Sequence, residues 1–167
     1  DDTVAALIVE PVQGMAGARD CDVGFLQAAR RLCTERGIAL IFDEVQCGVG
    51  RTGAFTAAER VGVVPDALTL AKGLGSGYPI GAVIAGPMLS ASIGVGDLGS
   101  TFGGGPVACA AALATLAVLD DEDLPGNAAR VGAHIADGAA ALGARKVWGR
   151  GLLLGLDFGR PAREVQQ

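Results

Sequence analysis

The chain has 167 residues, half of them hydrophobic, 19% charged and 4% aromatic, with 27 glycines and a net charge of −5. That size suits one ordinary core, and the acidic balance argues against nucleic acid or an anionic membrane surface as a partner. No apolar run reaches the ~18 residues of a membrane span and the amino end lacks a signal-peptide pattern. Four scattered cysteines without CxxC spacing predict reduced thiols in a cytoplasmic protein, not a disulfide frame or a zinc site.

Taken in order, Val4 to Val9 reads as a buried strand ending at Glu10-Pro11, followed by a loop through Gly14 and Gly17. Asp20 or Asp22 is placed to cap a helix in which Phe25, Leu26, Ala29, Leu32 and Cys33 recur near helical spacing, and Gly37 stops it after Arg36. The apolar run Ile38 to Phe42 is a second buried strand and ends abruptly in Asp43 and Glu44, completing a right-handed βαβ unit. A loop spans Gly48 to Gly53, and a short helix is predicted over Phe55 to Val61. The run Ala67 to Ala71 is a third strand, closed by Lys72, and Pro79 to Ala85 is a further apolar run.

Residues 90–105 are glycine-rich and aperiodic, which predicts a long functional loop. Pro106 opens a helix through Ala110, Leu113, Leu116 and Leu119. The acids Asp120 to Asp123 at its far end oppose the helix dipole and predict fraying there; consecutive acids of this kind are solvated, and no metal is expected. Asn127 to Leu142 is alanine-rich and helical, and its His134 is a surface or packing residue. Arg145 to Trp148 and Leu152 to Phe158 read as strands of a small second domain. The fold class is α/β, a mostly parallel sheet with flanking helices.

The chemistry gathers between Ile38 and Lys72. A carboxylate and an amine close two neighbouring strands at their carboxyl ends, where open α/β sheets bind ligands. A strand-end lysine is ordinarily a solvated cap, but lysine is scarce here: among 13 basic residues only Lys72 and Lys146 are lysines. Apolar residues and Gly73, Gly75 and Gly77 flank Lys72, so it is placed to be desolvated, with a lowered pKa and a nucleophilic amine. Asp43 is the complement, since an ionised carboxylate against a pyridine nitrogen keeps the ring protonated as an electron sink. These are the two groups that a pyridoxal 5′-phosphate site requires.

Four ordered motifs carry a resemblance. Ile41-Phe42-Asp43-Glu44-Val45-Gln46-Cys47-Gly48-Val49-Gly50-Arg51-Thr52-Gly53 and Leu68 to Ala82 around Lys72 are similar to the signatures of class III (ornithine/acetylornithine-type) aminotransferases. Ile8-Val9-Glu10-Pro11-Val12-Gln13-Gly14 and Gly99-Ser100-Thr101-Phe102-Gly103-Gly104 match as well. The resemblance implies the type I fold of pyridoxal phosphate enzymes, with residues 1–123 as the second half of the large domain and 124–167 as the start of the small one. Class III enzymes are much longer, so it implies a fragment, inactive alone because other family residues bind the phosphate, stack on the ring and clamp the substrate.

By the same resemblance Lys72 carries the cofactor and shuttles the proton, and Asp43 faces the pyridine nitrogen. Gln46 bonds the phenolic oxygen, and Val45 packs on the ring. Thr101, with Ser100, reaches the phosphate of the neighbouring subunit in a homodimer. Glu10 is placed on the substrate side, where shaping the pocket and accepting loop amides are equally open to it. Arg51 is read as structural or electrostatic. The implied reaction transfers an amino group from an ω-amino or N-acylated diamino acid, N-acetylornithine first, to 2-oxoglutarate. Two departures bear on this. Met15 stands where the ornithine-type enzymes carry an acid, which leaves the donor open to 4-aminobutyrate- or diaminopimelate-type substrates, or to an aminomutase. Gly105 replaces an asparagine before Pro106.

Overall fold

The computed structural model describes residues 3–165. Its centre is a four-stranded sheet in the order β1 (Ala6–Val9), β4 (Ala39–Asp43), β5 (Ala67–Leu70), β6 (Ala82–Ala85). Pairs β1·β4 and β4·β5 are parallel and β5·β6 is antiparallel, so the sheet is mostly parallel, as expected, with one antiparallel edge strand. A small hairpin, β2 (Val12–Gln13) with β3 (Arg19–Asp20), follows β1, and helix α1 (Val23–Arg36) crosses back to β4.

Helix α1 begins where Asp22, of the two acids available, accepts a hydrogen bond from Phe25 N, and ends at Gly37 in the left-handed conformation. Its buried face is Leu26, Ala29 and Cys33, at spacings of three and four residues. Phe25 and Leu32, apolar in sequence, fall on the outer side and are about half exposed. Leu26, Cys33, Leu40 and Phe42 form the main core with Ala58 and Val63. Asp66 ties these layers together: its carboxylate accepts Leu40 N at 2.7 Å and pairs with Arg30 of α1 at 2.8 Å.

Strand β4 is central and mostly buried, as its unbroken apolar run predicts. Strand β1 corrects the expectation of a buried strand. It is an edge strand, with Leu7 and Val9 packed on the α1 side and Ile8 60% exposed on the other. The predicted short helix shrinks to α2 (Ala57–Val61), with Thr56 as its cap. Strand β5 ends at Leu70, and Lys72 opens a single 3₁₀ turn, Lys72–Gly75, two residues beyond it.

After β6 come a single turn, α3 (Pro87–Ser90), and an exposed loop that reaches Gly105. Helix α4 (Pro106–Asp121) buries Ala108, Ala112 and Leu119, while Leu113 is 68% exposed. Its acidic end does not simply fray. Asp123 turns left-handed and its carboxylate accepts Gly126 N, capping α5 (Leu124–Ala141), which therefore starts earlier than its alanine-rich stretch. The acids that oppose the dipole of α4 thus stand at the favourable pole of α5. Strands β7 (Lys146–Arg150) and β8 (Leu153–Asp157) form an antiparallel hairpin, and a last turn, α6, covers Ala162–Val165.

That hairpin docks by backbone contact. A Cβ on Gly132 of α5 would overlap the carbonyl of Gly151 in the β7–β8 turn, and one on Gly155 would overlap the carbonyl of Gly17 in the β2–β3 turn. Arg150 pairs with Asp20 at 2.6 Å, and the Arg19 guanidinium lies 3.8 Å over the Trp148 ring. Gly132→Ala is expected to destabilise the chain by about 1–3 kcal/mol, the usual effect of overpacking a rigid contact, read as a lowered urea midpoint with unchanged slope.

Candidate active site

The site lies beyond the carboxyl ends of β4 and β5. In the parallel register Asp43 is opposite Thr69, and the Thr69 hydroxyl donates to Asp43 Oδ1 at 2.9 Å. The Val45 amide donates to the same oxygen at 3.0 Å. Both bonds fall on Oδ1, and Asp43 lines the depression that also holds Lys72.

Successive residues on a strand point to opposite faces, and the next acid goes the other way. Glu44 is fully buried, and its two oxygens accept Ala57 N at 2.6 Å and Ala58 N at 2.9 Å, the first free amides of α2. Burial pushes the Glu44 carboxyl above its usual range, the charge of Glu59 adds to this, and the two amides oppose it. Cys47, also buried, has its thiol pushed up to about 12, chiefly by burial and then by the charge of Glu44. It is therefore an inert core residue.

Lys72 has φ of +44°, and Val49 beside it has φ of +54°. Such conformations cost about 1–3 kcal/mol each outside glycine and are kept where surrounding structure holds them. The hold is visible: Leu74 turns into a core of Leu70 and Ala112, with Val49 packed against it. That packing corrects the expectation for Lys72. The apolar neighbours go inward, and Lys72 itself is exposed at the open end of the sheet, so the described residues do not desolvate it. Its Nζ donates to Gln46 Oε1.

Glu10, Met15, Asp43, Val45, Gln46 and Lys72 line one depression of about 180 Å³. An adjoining hollow of about 300 Å³ shares Val45, Gln46 and Lys72 and adds Arg51. Glu10 Oε2 accepts Gly14 N at 3.3 Å, the loop-amide role left open for it. Thr52, buried in the same Gly-Arg-Thr-Gly loop, donates to Cys47 O at 3.1 Å. Ser100 and Thr101 stand apart, exposed on the long loop, with Ser100 Oγ accepting Gly103 N at 2.9 Å. Thr69 and Gly14 were not singled out in sequence. Thr69 had a signal, as the lone polar residue inside the β5 run.

An amine, a carboxylate and a primary amide are gathered at parallel strand ends of an α/β fold, a donor set able to hold a carbonyl-bearing cofactor with a ring nitrogen. Pyridoxal phosphate fits this donor set: Lys72 can take the carbonyl, Asp43 a protonated pyridine nitrogen and Gln46 a phenolic oxygen. The comparisons agree. The family model described as aminotransferase class-III matches residues 1–167, and the chain belongs to that family.

Among its relatives, acetylornithine aminotransferase 1 of Bordetella pertussis is 48% identical over 163 residues, covering 95% of this chain and 42% of that protein. The acetylornithine aminotransferase of Methanopyrus kandleri is 49% identical over 166 residues, 98% of this chain and 42% of that one. The chain thus spans about two-fifths of the length of these relatives. The structure of ornithine aminotransferase from Toxoplasma gondii superposes with a TM-score of 0.86 at 39% identity, over 93% of this chain and 38% of that one. An (S)-enantioselective omega-transaminase from Thermomicrobium roseum gives 0.86 at 38% identity, over 97% and 38%.

Glu44→Ala is expected to cost about 2–4 kcal/mol by stranding two buried amides. Its pH signature has a definite sign. With the folded carboxyl raised, the folded chain keeps a proton that the unfolded chain releases from about pH 4.3 upward. The stability linked to Glu44 is therefore greatest below that value and falls as pH rises towards the folded pKa. In urea titrations the difference between the wild-type chain and Glu44→Gln should shift in favour of the variant from pH 4 to 7. A flat or opposite trend would refute the assignment.

Proposed function

We propose that this chain carries the core of a pyridoxal phosphate-dependent aminotransferase acting on an ω-amino or N-acylated diamino acid, N-acetylornithine first, with 2-oxoglutarate as acceptor. The observation that carries the reading is the meeting of Lys72, Gln46 and Asp43 in one depression at the ends of adjacent strands. The cofactor, when bound, supplies an electron sink for charge that develops at the carbon bearing the substrate's amino group.

The chain's own residues supply the rest. Asp43, fixed through Oδ1 by Thr69 and Val45, offers its carboxylate to a ring nitrogen. The Lys72 amine leaves Gln46 to hold and return the proton of the reacting carbon, and the Gln46 amide is then free for an oxygen of the ring. Met15, 94% exposed at the lip, presents a thioether to the approaching donor. An acylated, uncharged nitrogen is the better partner for it than a free ammonium, which supports the N-acylated donor over ornithine.

Ser100 and Thr101, exposed and away from the Lys72 depression, fit a homodimer in which Thr101 serves the phosphate at the neighbouring subunit's site. The division at 123/124 belongs to the same reading, and α5 begins at Leu124. So does a cytoplasmic setting, with four unpaired cysteines.

Pyridoxal phosphate mixed with the chain and reduced with borohydride should label Lys72, and Lys72→Ala should abolish that label. Asp43→Asn should weaken cofactor retention by about 10- to 100-fold, the worth of a hydrogen bond to a charged group. Label on Lys146 instead, in the folded chain, would refute the site. Where turnover is assayed, N-acetylornithine should outperform ornithine and 4-aminobutyrate as donor.

A further inference from the structure

We infer that Gly14 is a positioning residue for Lys72, acting through Gln46. A Cβ built on Gly14 meets three nearest atoms, and all belong to the Gln46 side chain: Cγ in overlap, Cδ at 3.0 Å and Nε2 at 3.1 Å. The Gln46 side chain thus passes in close contact with Gly14, and its amide oxygen receives the Lys72 amine. Any side chain at position 14 must push that amide away or move the turn.

The turn is not free to move. The Gly14 amide is held by Glu10 Oε2 at 3.3 Å, and its carbonyl accepts Gly17 N at 3.2 Å and Ala18 N at 3.3 Å. Ala18, buried and at φ of +56°, lies against Gly149 of β7, and Gly17 lies against Gly155 of β8. A backbone braced at its amide, at its carbonyl and at Gly17 and Ala18 behaves as a wall. Glu10 gains a role here as the brace of that wall, which its place on the lip alone does not supply. The catalytic meaning rests on the proposed function; the contact itself does not.

The test uses the cofactor-free chain and its two lysines. Limiting acetic anhydride, followed by peptide mass spectrometry, gives the labelling ratio of Lys72 to Lys146, with Lys146 as internal reference. Gln46→Ala should release the Lys72 amine and raise the ratio on the order of 2- to 10-fold, the net worth of one hydrogen bond. Gly14→Ala should raise it comparably. In the double variant the two effects should not add, because the second change finds nothing left to displace.

An unchanged ratio in Gly14→Ala would overturn the inference, and so would a Gly14→Ala effect of the same size in the Gln46→Ala background. Were Gly14→Ala alone too unstable to label, restored folding in the double variant would support the contact, and continued failure would refute it. Borohydride trapping of pyridoxal phosphate is read separately on the wild-type chain. Its failure would remove the proposed function and leave the labelling cycle standing.

Discussion

The site depends first on the parallel register of β4 and β5, because that register sets Thr69 opposite Asp43 and leaves a single residue, Ala71, between the end of β5 and Lys72. A shift by one residue would turn Asp43 to the other face, where Glu44 now lies. The sheet is protected against such a shift by what each acid finds. Glu44 has a closed pocket containing two helix amides, and Asp43 has a hydroxyl and an open mouth. Exchanging them would put the shorter aspartate side chain in a pocket sized for glutamate and strand the buried amides of Ala57 and Ala58.

Two loops flank the amine of Lys72, and the carboxyl-terminal hairpin touches both. Its turn at Gly151 presses on the backbone of Arg51 to Gly53, and Leu152 N donates to Arg51 O at 2.9 Å. Its strands press on the turn at Gly17 and Ala18. Residues 77 to 83 positions beyond Lys72 in the chain, Gly149 to Gly155, thus set the walls around it. The hairpin is part of the site's support even though none of its charged side chains lines the depression of Glu10, Asp43 and Lys72.

Much of this was legible in the sequence, for a physical reason. Short apolar runs bounded by polar and turn residues favour strands, so β4 and β5 and the acid and amine beyond them could be placed by pattern alone. The caps were legible where a local rule applies, at Asp22 and Gly37. Non-local facts were not. The edge exposure of Ile8, the choice of Asp123 as a cap for α5 and the exposure of Lys72 all depend on which elements happen to cover which. The Gly14 contact with Gln46 joins residues 32 positions apart, and no local pattern encodes it.

The seam between the hairpin and the rest is made from side chains that are missing. Gly132, Gly149, Gly151 and Gly155 each bring backbone against backbone or against Ala18. A seam of leucines and valines can drift over generations by trading one methylene for another, each step nearly neutral. A seam of glycines has no such path, since every single-step replacement adds atoms to a space already filled. This part of the molecule is therefore expected to change in evolution abruptly, with compensating moves on both sides, or to stay as it is.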